Sequence, residues 1–454
     1  MPSTASSTPL ASRRSLLAAI GTAATVGLAG CSAFESDESL PAFEPEAMVD
    51  VLSTPAPEYR RPAPVQPSAA AIDAGLERGD GFLDSIPDEV TAETVPDEDL
   101  HEHIDVQSER ARTQREDVEE APDRFRALEE VRQYRRYARR AAATYEAAAA
   151  GPGEWDRLRE SLEAERNDAR SRAKRRLAAV EYVGDHPDRT LLLTVRLEEM
   201  LTAALRLGRR RPGERAPVHT LADLARRTER LRTSVDAAEE LRTRHVERSD
   251  EATDFTTWFD IALERSLRPP DLVRVHDEDA TPADVVGGQA DRPEVRHAIA
   301  LALGIPGDFD DVDRHANRGT LALGLEGVLE LERDARAFET VTGRIEDREF
   351  PRPESIDRVR EEREATIEAA HQAANQAEID PSEPSLGADV FVRTCGWIDS
   401  TDQSIRRDID RDQSSDLGFQ YAQYANARAR IEALPSAIET VRERIEAATQ
   451  DTPF

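Results

Sequence analysis

Residues 191–207 read LLLTVRLEEMLTAALRL and form the most apolar stretch of the chain after its first thirty residues. Apolar side chains occupy nearly every side of a helix drawn over this stretch, and such a helix is buried in a protein core or in a membrane. Four charged side chains exclude a membrane span, and these are Arg196, Glu198, Glu199 and Arg206. We therefore predict that residues 191–207 form the central helix of a helical bundle.

The segments on both sides of this stretch have the spacing of amphipathic helices. Residues 125–145, for example, place an apolar side chain every three or four positions, which puts these side chains on one helix face. The sequence therefore predicts an all-α fold, built as a helical bundle or as an array of long helical hairpins. One long helix is expected from about Asp313 to Arg348, and Pro435 is expected to separate the last two helices. Residues 386–405 fit a helix or a strand.

Residues 31–68 contain seven prolines mixed with acidic and small residues. A segment of this composition does not build a packed core and is typical of an extended spacer. We predict a proline-rich acidic linker, or stalk, that reaches on the order of 100 Å if it is fully extended. Four apolar residues leave docking onto the folded body as the alternative, and these are Met48, Val49, Val51 and Leu52.

A second break in the helical pattern divides the body. Residues 269–292 combine two adjacent prolines, two adjacent glycines and several acidic residues, which interrupt any helix. We predict that this linker separates a first helical subdomain, residues 69–268, from a second one, residues 293–454.

The chain is strongly acidic. Its formal net charge is −31, and Lys174 is the one lysine among 60 Lys and Arg residues. This excess of acids with almost no lysine resembles the proteins of extreme halophiles, particularly the salt-loving archaea. The same charge argues against a nucleic-acid partner, because phosphate binding needs a basic surface.

The first thirty residues have the order of an export signal. Arg13 and Arg14 precede an uncharged run rich in Ala, Gly and Leu, which ends at Cys31. Residues 12–17, SRRSLL, resemble a twin-arginine translocation motif, and residues 28–31, LAGC, resemble a lipobox. The resemblance to twin-arginine-exported lipoproteins implies that residues 1–30 are a signal peptide and that Cys31 carries a lipid. An uncleaved membrane helix and a buried apolar helix are the alternatives.

The resemblance implies a location but no activity. It implies a protein held at the cell membrane by the lipid on Cys31 and facing the extracellular side. The sequence has no G-x-S-x-G, H-E-x-x-H, Walker, G-x-G-x-x-G or C-x-x-C motif. We therefore expect a helical structural or protein-interaction module with an envelope protein as its candidate partner and without a cofactor. A solute-binding or transport-accessory lipoprotein is the alternative, and an enzyme with an unrecognised site is the third. The sequence leaves the oligomeric state open.

Three aspartates are weak candidates for a calcium site. Asp408, Asp410 and Asp412 have the spacing of the first ligands of an EF-hand loop. The loop also needs Gly at its sixth position and a bidentate Glu at its twelfth, where this chain has Gln413 and Phe419. The match is therefore partial, and the metal content of the protein stays open.

Two other groups of reactive side chains have simpler interpretations. His101 and His103 are surrounded by acids, but residues two apart on a helix point away from each other, which favours a solvated helix face over a metal site. Cys395 lies among apolar residues, which favours a small buried side chain over a nucleophile.

The charge of the chain predicts that its folding depends on salt. At molar salt the Debye length falls to about 3 Å, which screens the repulsion among the acidic side chains. We expect helix content and melting temperature, measured by circular dichroism, to rise from 0.1 M salt to several molar. Equal values across this range would contradict the prediction.

Overall fold

The computed structural model describes residues 40–207, 217–248, 252–267, 280–303, 309–376 and 379–450, without the side chains of residues 309 and 310. These residues contain fifteen α-helices and one antiparallel pair of two-residue strands, β1 (Val183–Gly184) and β2 (Thr253–Asp254). The predicted all-α fold is therefore confirmed. Arg13, Arg14 and Cys31 lie outside the described residues.

Seven helices precede β2. They are α1 (Pro45–Val51), α2 (Ala69–Leu83), α3 (Glu98–Glu119), α4 (Arg124–Ala150), α5 (Trp155–Leu177), α6 (Pro187–Leu207) and α7 (Pro217–Arg248). Helix α4 packs against α2, α3 and α7, while α5 and α6 pack against each other and against α7. A short 3-10 helix, Pro152–Glu154, connects α4 to α5.

Eight helices follow β2. They are α8 (Thr256–Ser266), α9 (Pro282–Val286), α10 (Pro293–Leu303), α11 (Phe309–Arg318), α12 (Leu321–Glu346), α13 (Ile356–Ala374), α14 (Leu386–Asp410) and α15 (Gly418–Gln450). A 3-10 helix, Gly287–Asp291, connects α9 to α10. Helix α15 packs against α8, α10, α12, α13 and α14, so it lies at the centre of this group.

Helix α6 contains the predicted central helix and touches both groups. Leu191 and Val195 are buried in the largest apolar cluster, which is built mainly from the helices after β2. Leu193 and Leu197 are buried in a second cluster, shared with α4, α5 and α7. The apolar character on all sides of α6 is explained by these two cores. By their contacts, residues Leu40–Phe454 form one compact unit.

Three local predictions differ from the structure or are decided by it. The expected helix over Asp313–Arg348 is two helices, α11 and α12, because Gly319 has a φ of 68°, a conformation that breaks a helix and that favours glycine. Helix α15 runs through Pro435, since apolar residues on both sides of the proline, including Leu434 and Ile438, are held in one core. Residues 386–405 are helical and form most of α14.

The described part of the predicted linker, residues 40–68, packs against the helices. Met48 and Val51 of α1 are fully buried in the largest apolar cluster, and Val65 is buried in the second. Phe43 also forms an isolated antiparallel bridge with Ser415. These apolar residues favour docking over extension. Docking is the alternative that the sequence left open. We call residues 40–68 the attachment segment.

The predicted linker after the first subdomain is described only in part. Residues 280–292 contain α9 and the 3-10 helix that follows it, whereas residues 268–279 lie outside the described residues. No helix in the described part of the chain has the length and apolar character needed to cross a membrane.

Helices α2 and α4 pack closely at Gly79 because glycine has no side chain. A Cβ atom at this position would overlap the buried ring of Tyr134, whose hydroxyl donates a hydrogen bond to Asp80 at 2.5 Å. We expect Gly79→Ala to lower the free energy of unfolding by about 1–3 kcal/mol, measured by denaturant titration. Gly81→Ala is the matched control, because no atom lies within 4 Å of its added Cβ. It should stabilise the helix by about 0.5–1 kcal/mol, and equal effects of both changes would refute the packing interpretation.

Candidate functional site

The predicted calcium ligands lie at the end of α14. Asp408 and Asp410 are in its last turn, and the exposed Asp412 follows with a φ of 53°. Among the described residues, no group of three or more His, Cys, Asp and Glu side chains could hold a metal ion. The calcium hypothesis at these three aspartates therefore receives no support from the geometry.

The other reactive side chains considered from the sequence are partly or fully buried. The ring of His103 on α3 lies 5.0 Å from the ring of His219 on α7. Burial, with Arg140 nearby, lowers the pKa of His103 to about 4, so this histidine is neutral at pH 7. Cys395 is buried, and burial raises the pKa of its thiol to about 12, which makes it a poor nucleophile.

A cluster of buried ions joins α6, α14 and the attachment segment. Asp389 of α14 has no exposed surface. Its carboxylate accepts hydrogen bonds from Arg61 Nε at 2.8 Å and from Arg196 Nη2 of α6. Arg393 Nε, one helical turn after Asp389, lies 3.2 Å from the same carboxylate. These four residues, the Asp389 cluster, place three guanidinium groups around one carboxylate.

Three glutamates lie against the guanidinium groups of the Asp389 cluster. Glu199 pairs with Arg196 at 3.1 Å, and Arg393 pairs with Glu326 and, at 3.1 Å, with Glu330 of α12. Burial raises the pKa of Glu326 to about 8, although Arg393 opposes the shift. Burial alone would lower the pKa of Arg393, but the surrounding carboxylates raise it overall, so its guanidinium is charged.

A second buried cluster reaches the attachment segment from α13. The side chain of Arg363 is fully buried and donates from Nε and Nη2 to the two carboxylate oxygens of Asp402, at 2.9 and 2.6 Å. The Tyr424 hydroxyl donates to the same carboxylate at 2.7 Å. Arg363 Nη1 donates to the carbonyl oxygen of Thr54 at 2.7 Å. We call Arg363, Asp402 and Tyr424 the Asp402 cluster.

Helix α6 also caps a distant helix with a buried acid. Glu198 accepts a hydrogen bond from the backbone N–H of Leu323, in the first turn of α12, at 2.9 Å. Tyr182 donates to the other oxygen of Glu198 and accepts from the N–H of Leu321 at 3.0 Å. Burial raises the pKa of Glu198 to about 7, while these hydrogen bonds oppose the shift. The pair satisfies backbone groups that Thr320 leaves uncapped.

Together the two ion clusters fasten the attachment segment to the helical body. Arg61 and the Thr54 carbonyl are its two polar contacts to them, and Tyr59 adds a ring contact to Phe391 at 4.9 Å. Because the carboxylates of Asp389 and Asp402 are already surrounded by guanidinium and hydroxyl donors, their arrangement suits mechanical fastening. Arg61 is 37% exposed and Asp389 keeps two other guanidinium partners, so release of the segment is unfavourable but costs less than the roughly 3–5 kcal/mol of breaking a fully buried ion pair.

The sequence alone does not mark these residues as a site. From the sequence, the charges of Arg196 and Glu198 only exclude a membrane span. Their presence in a helix that is otherwise apolar was the available signal, because a buried charge needs a partner. Arg61, Asp389 and Arg363 had no comparable signal. Arg61 and Asp389 are 328 residues apart, Arg363 and Thr54 are 309 apart, and the helical residues lie in ordinary amphipathic patterns.

Two family models match parts of the chain. Residues 70–251 match a family described as a domain of unknown function (DUF8262), and residues 221–443 match a second one with the same description (DUF8264). The matched ranges overlap in residues 221–251, most of which belong to α7. No curated protein and no solved structure matches the chain. The attachment segment precedes both matched ranges, whereas its partners in the helical body lie within them.

The Asp389 cluster predicts a large effect for a small change. We expect Asp389→Asn to lower the free energy of unfolding by about 3–5 kcal/mol, because it leaves three guanidinium groups around a neutral amide. Amide hydrogen exchange in residues 40–68 should become faster at the same time. Denaturant titration and exchange mass spectrometry measure the two effects.

Asp399→Asn is the matched control on the same helix. Its carboxylate is 60% exposed, and its ion pair with Arg406 is 3.8 Å long, so stability and exchange should not change. Similar behaviour of the two variants would show that the buried cluster does not hold the attachment segment.

Proposed function

We propose that this protein is a lipid-anchored cell-surface protein whose helical body is a structural or protein-interaction module. The observation that carries this proposal is the fastening of the attachment segment by two buried ion clusters. A segment that only connects a signal peptide to a folded body needs no buried contacts. Buried contacts of this kind instead keep the body close to the point at which the segment leaves it.

The position of the attachment segment supports a short tether. Eight residues separate Cys31 from Leu40, whose side chain is buried beside Gly418 of α15. Eight residues span at most about 30 Å, which is well below the reach of the extended stalk that composition alone suggested. In this proposal the lipid on Cys31 holds the body close to the membrane.

The use of the perturbed ionisable groups supports binding over catalysis. Burial raises the pKa values of Glu198, Glu326 and Tyr424, and each of these groups is hydrogen-bonded or ion-paired inside the helical body. These groups cap a helix or join helices. We infer that the surface of the body, and not a buried reactive group, performs the function.

The anchor is tested by removing the proposed lipid acceptor. Cys31→Ala should release the protein from the membrane fraction into the soluble fraction, as measured by fractionation and immunoblotting at native salt. Cys395→Ala is the control, because this second cysteine is buried and should leave the protein at the membrane. Retention of the Cys31→Ala protein at the membrane would refute the lipobox assignment.

The interaction module is tested separately from the anchor. Affinity capture from membranes solubilised at native salt should recover an envelope protein in a stoichiometric amount. The Cys31→Ala protein, captured from the soluble fraction, provides the comparison without the membrane. If neither capture recovers a stoichiometric partner, the interaction module is contradicted even where the anchor is confirmed.

A further inference from the structure

A pocket between α4 and α7 is lined by arginines in a chain that is otherwise strongly acidic. It has a volume of about 210 Å³ and is open to solvent. Eight residues line it, and these are Arg126, Glu129, Glu130, Arg132, Gln133, Arg136, Arg230 and Thr233. None of these eight residues belongs to the two ion clusters, but Arg132 lies close enough to Glu199 for this carboxylate to oppose the lowering of its pKa by burial.

The acids of the pocket do not neutralise its arginines. Glu129 and Glu130 both pair with Arg126, at 3.0 and 2.5 Å. Among the described residues, no ion pair joins a lining carboxylate to the other three guanidinium groups, which are those of Arg132, Arg136 and Arg230. The pocket therefore has an excess of positive charge although the chain has a net charge of −31.

The donors of these three arginines are incompletely used. Arg132 donates from Nη2 to Ser234 at 3.0 Å, and Arg136 donates from Nη1 to Gln133 at 2.5 Å. The Nε atoms of both are buried and have no hydrogen-bond partner among the described residues. Within that same part of the chain, Arg230 forms no side-chain hydrogen bond or ion pair. Seven other arginines of the described chain also have a buried Nε without a hydrogen-bond partner, so the distinguishing feature of this pocket is that three guanidinium groups converge in it.

The guanidinium groups also repel one another. Burial, followed by the charges of Arg230 and Arg226, lowers the pKa of Arg136 to about 10. Burial and Arg226 likewise lower the pKa of Arg230. At pH 7 all of these groups are charged, so they repel one another across the pocket, and an anion bound among them would relieve this repulsion.

We propose that this pocket binds a tetrahedral oxyanion, which is phosphate, sulfate or the phosphate group of a small ester. Arginine presents several N–H donors in a fixed planar fork that matches the oxygens of such an anion. Three guanidinium groups supplied by two helices can surround it. The site is independent of the lipid anchor and adds a ligand to the proposed function.

The test is calorimetric titration of the full chain at the lowest chloride concentration that keeps it folded. Inorganic phosphate, sulfate and glycerol phosphate are the three probes. Saturable binding of any one supports the site. Preference for inorganic phosphate or sulfate identifies a free anion, and preference for glycerol phosphate identifies an ester or a lipid headgroup. Failure of all three to bind would overturn the proposal.

The site is located with matched substitutions on one helix. Arg230→Gln should weaken binding by about tenfold or more, because it removes a charged donor. Arg232→Gln should leave binding unchanged, because Arg232 is outside the pocket lining and pairs with Glu165 at 2.7 Å. Equal affinities for the Arg230→Gln protein and the unaltered chain would overturn the location.

Thermal melting separates a binding role from a structural one. Without an anion, Arg230→Gln should melt at the same temperature as the unaltered chain or higher, since it relieves repulsion. With phosphate, the unaltered chain should gain melting temperature and this variant should not. A lower melting temperature for the variant without an anion would indicate a structural arginine and overturn the proposal. Arg230→Lys, which keeps the charge but loses the fork, provides the same comparison if the Gln variant fails to fold.

Discussion

A charged side chain that leaves water must find a partner, and this requirement governs the centre of the protein. Arg196 and Glu198 of α6 are 3% and 0% exposed, in a helix whose other side chains are mostly apolar. Asp389 of α14 compensates Arg196, and the first turn of α12 with Tyr182 compensates Glu198. The central helix can therefore occupy its place only where these partners meet it.

The same requirement fixes the register of distant elements. Arg196 and Asp389 are 193 residues apart, Arg61 and Asp389 are 328 apart, and Arg363 and Thr54 are 309 apart. Apolar packing tolerates shifts among side chains of similar size. A buried guanidinium tolerates them much less, because a shift of one residue leaves its charge without a partner. The ion clusters therefore disfavour any arrangement of α6, α14 and the attachment segment that separates these partners.

Helix periodicity made the all-α fold predictable, but not the places where helices break or continue. The break at Gly319 depends on a backbone conformation, and the continuation through Pro435 depends on apolar contacts on both sides of it. The candidate site was less predictable still. A single sequence shows that Arg196 is unusual, but it does not show that Asp389 is its partner, because the pairing exists only after the helices assemble. Docking of the attachment segment could be foreseen only as an alternative, from apolar residues such as Met48.

The near-absence of lysine has a structural consequence beyond surface charge. Arg363 binds both oxygens of Asp402 and a backbone carbonyl at once, which uses three directions of one planar group. An ammonium group is a compact point charge and cannot reproduce this fork. Salt screens exposed ion pairs strongly but buried ones much less, so clusters of this kind keep their strength at high ionic strength. In the pocket between α4 and α7 the guanidinium groups outnumber the carboxylates, and both lining carboxylates pair with Arg126. Arg132, Arg136 and Arg230 present the same kind of N–H donors in this pocket as those bound by Asp389 and Asp402 in the core. An anion from solution is therefore the partner that fits them.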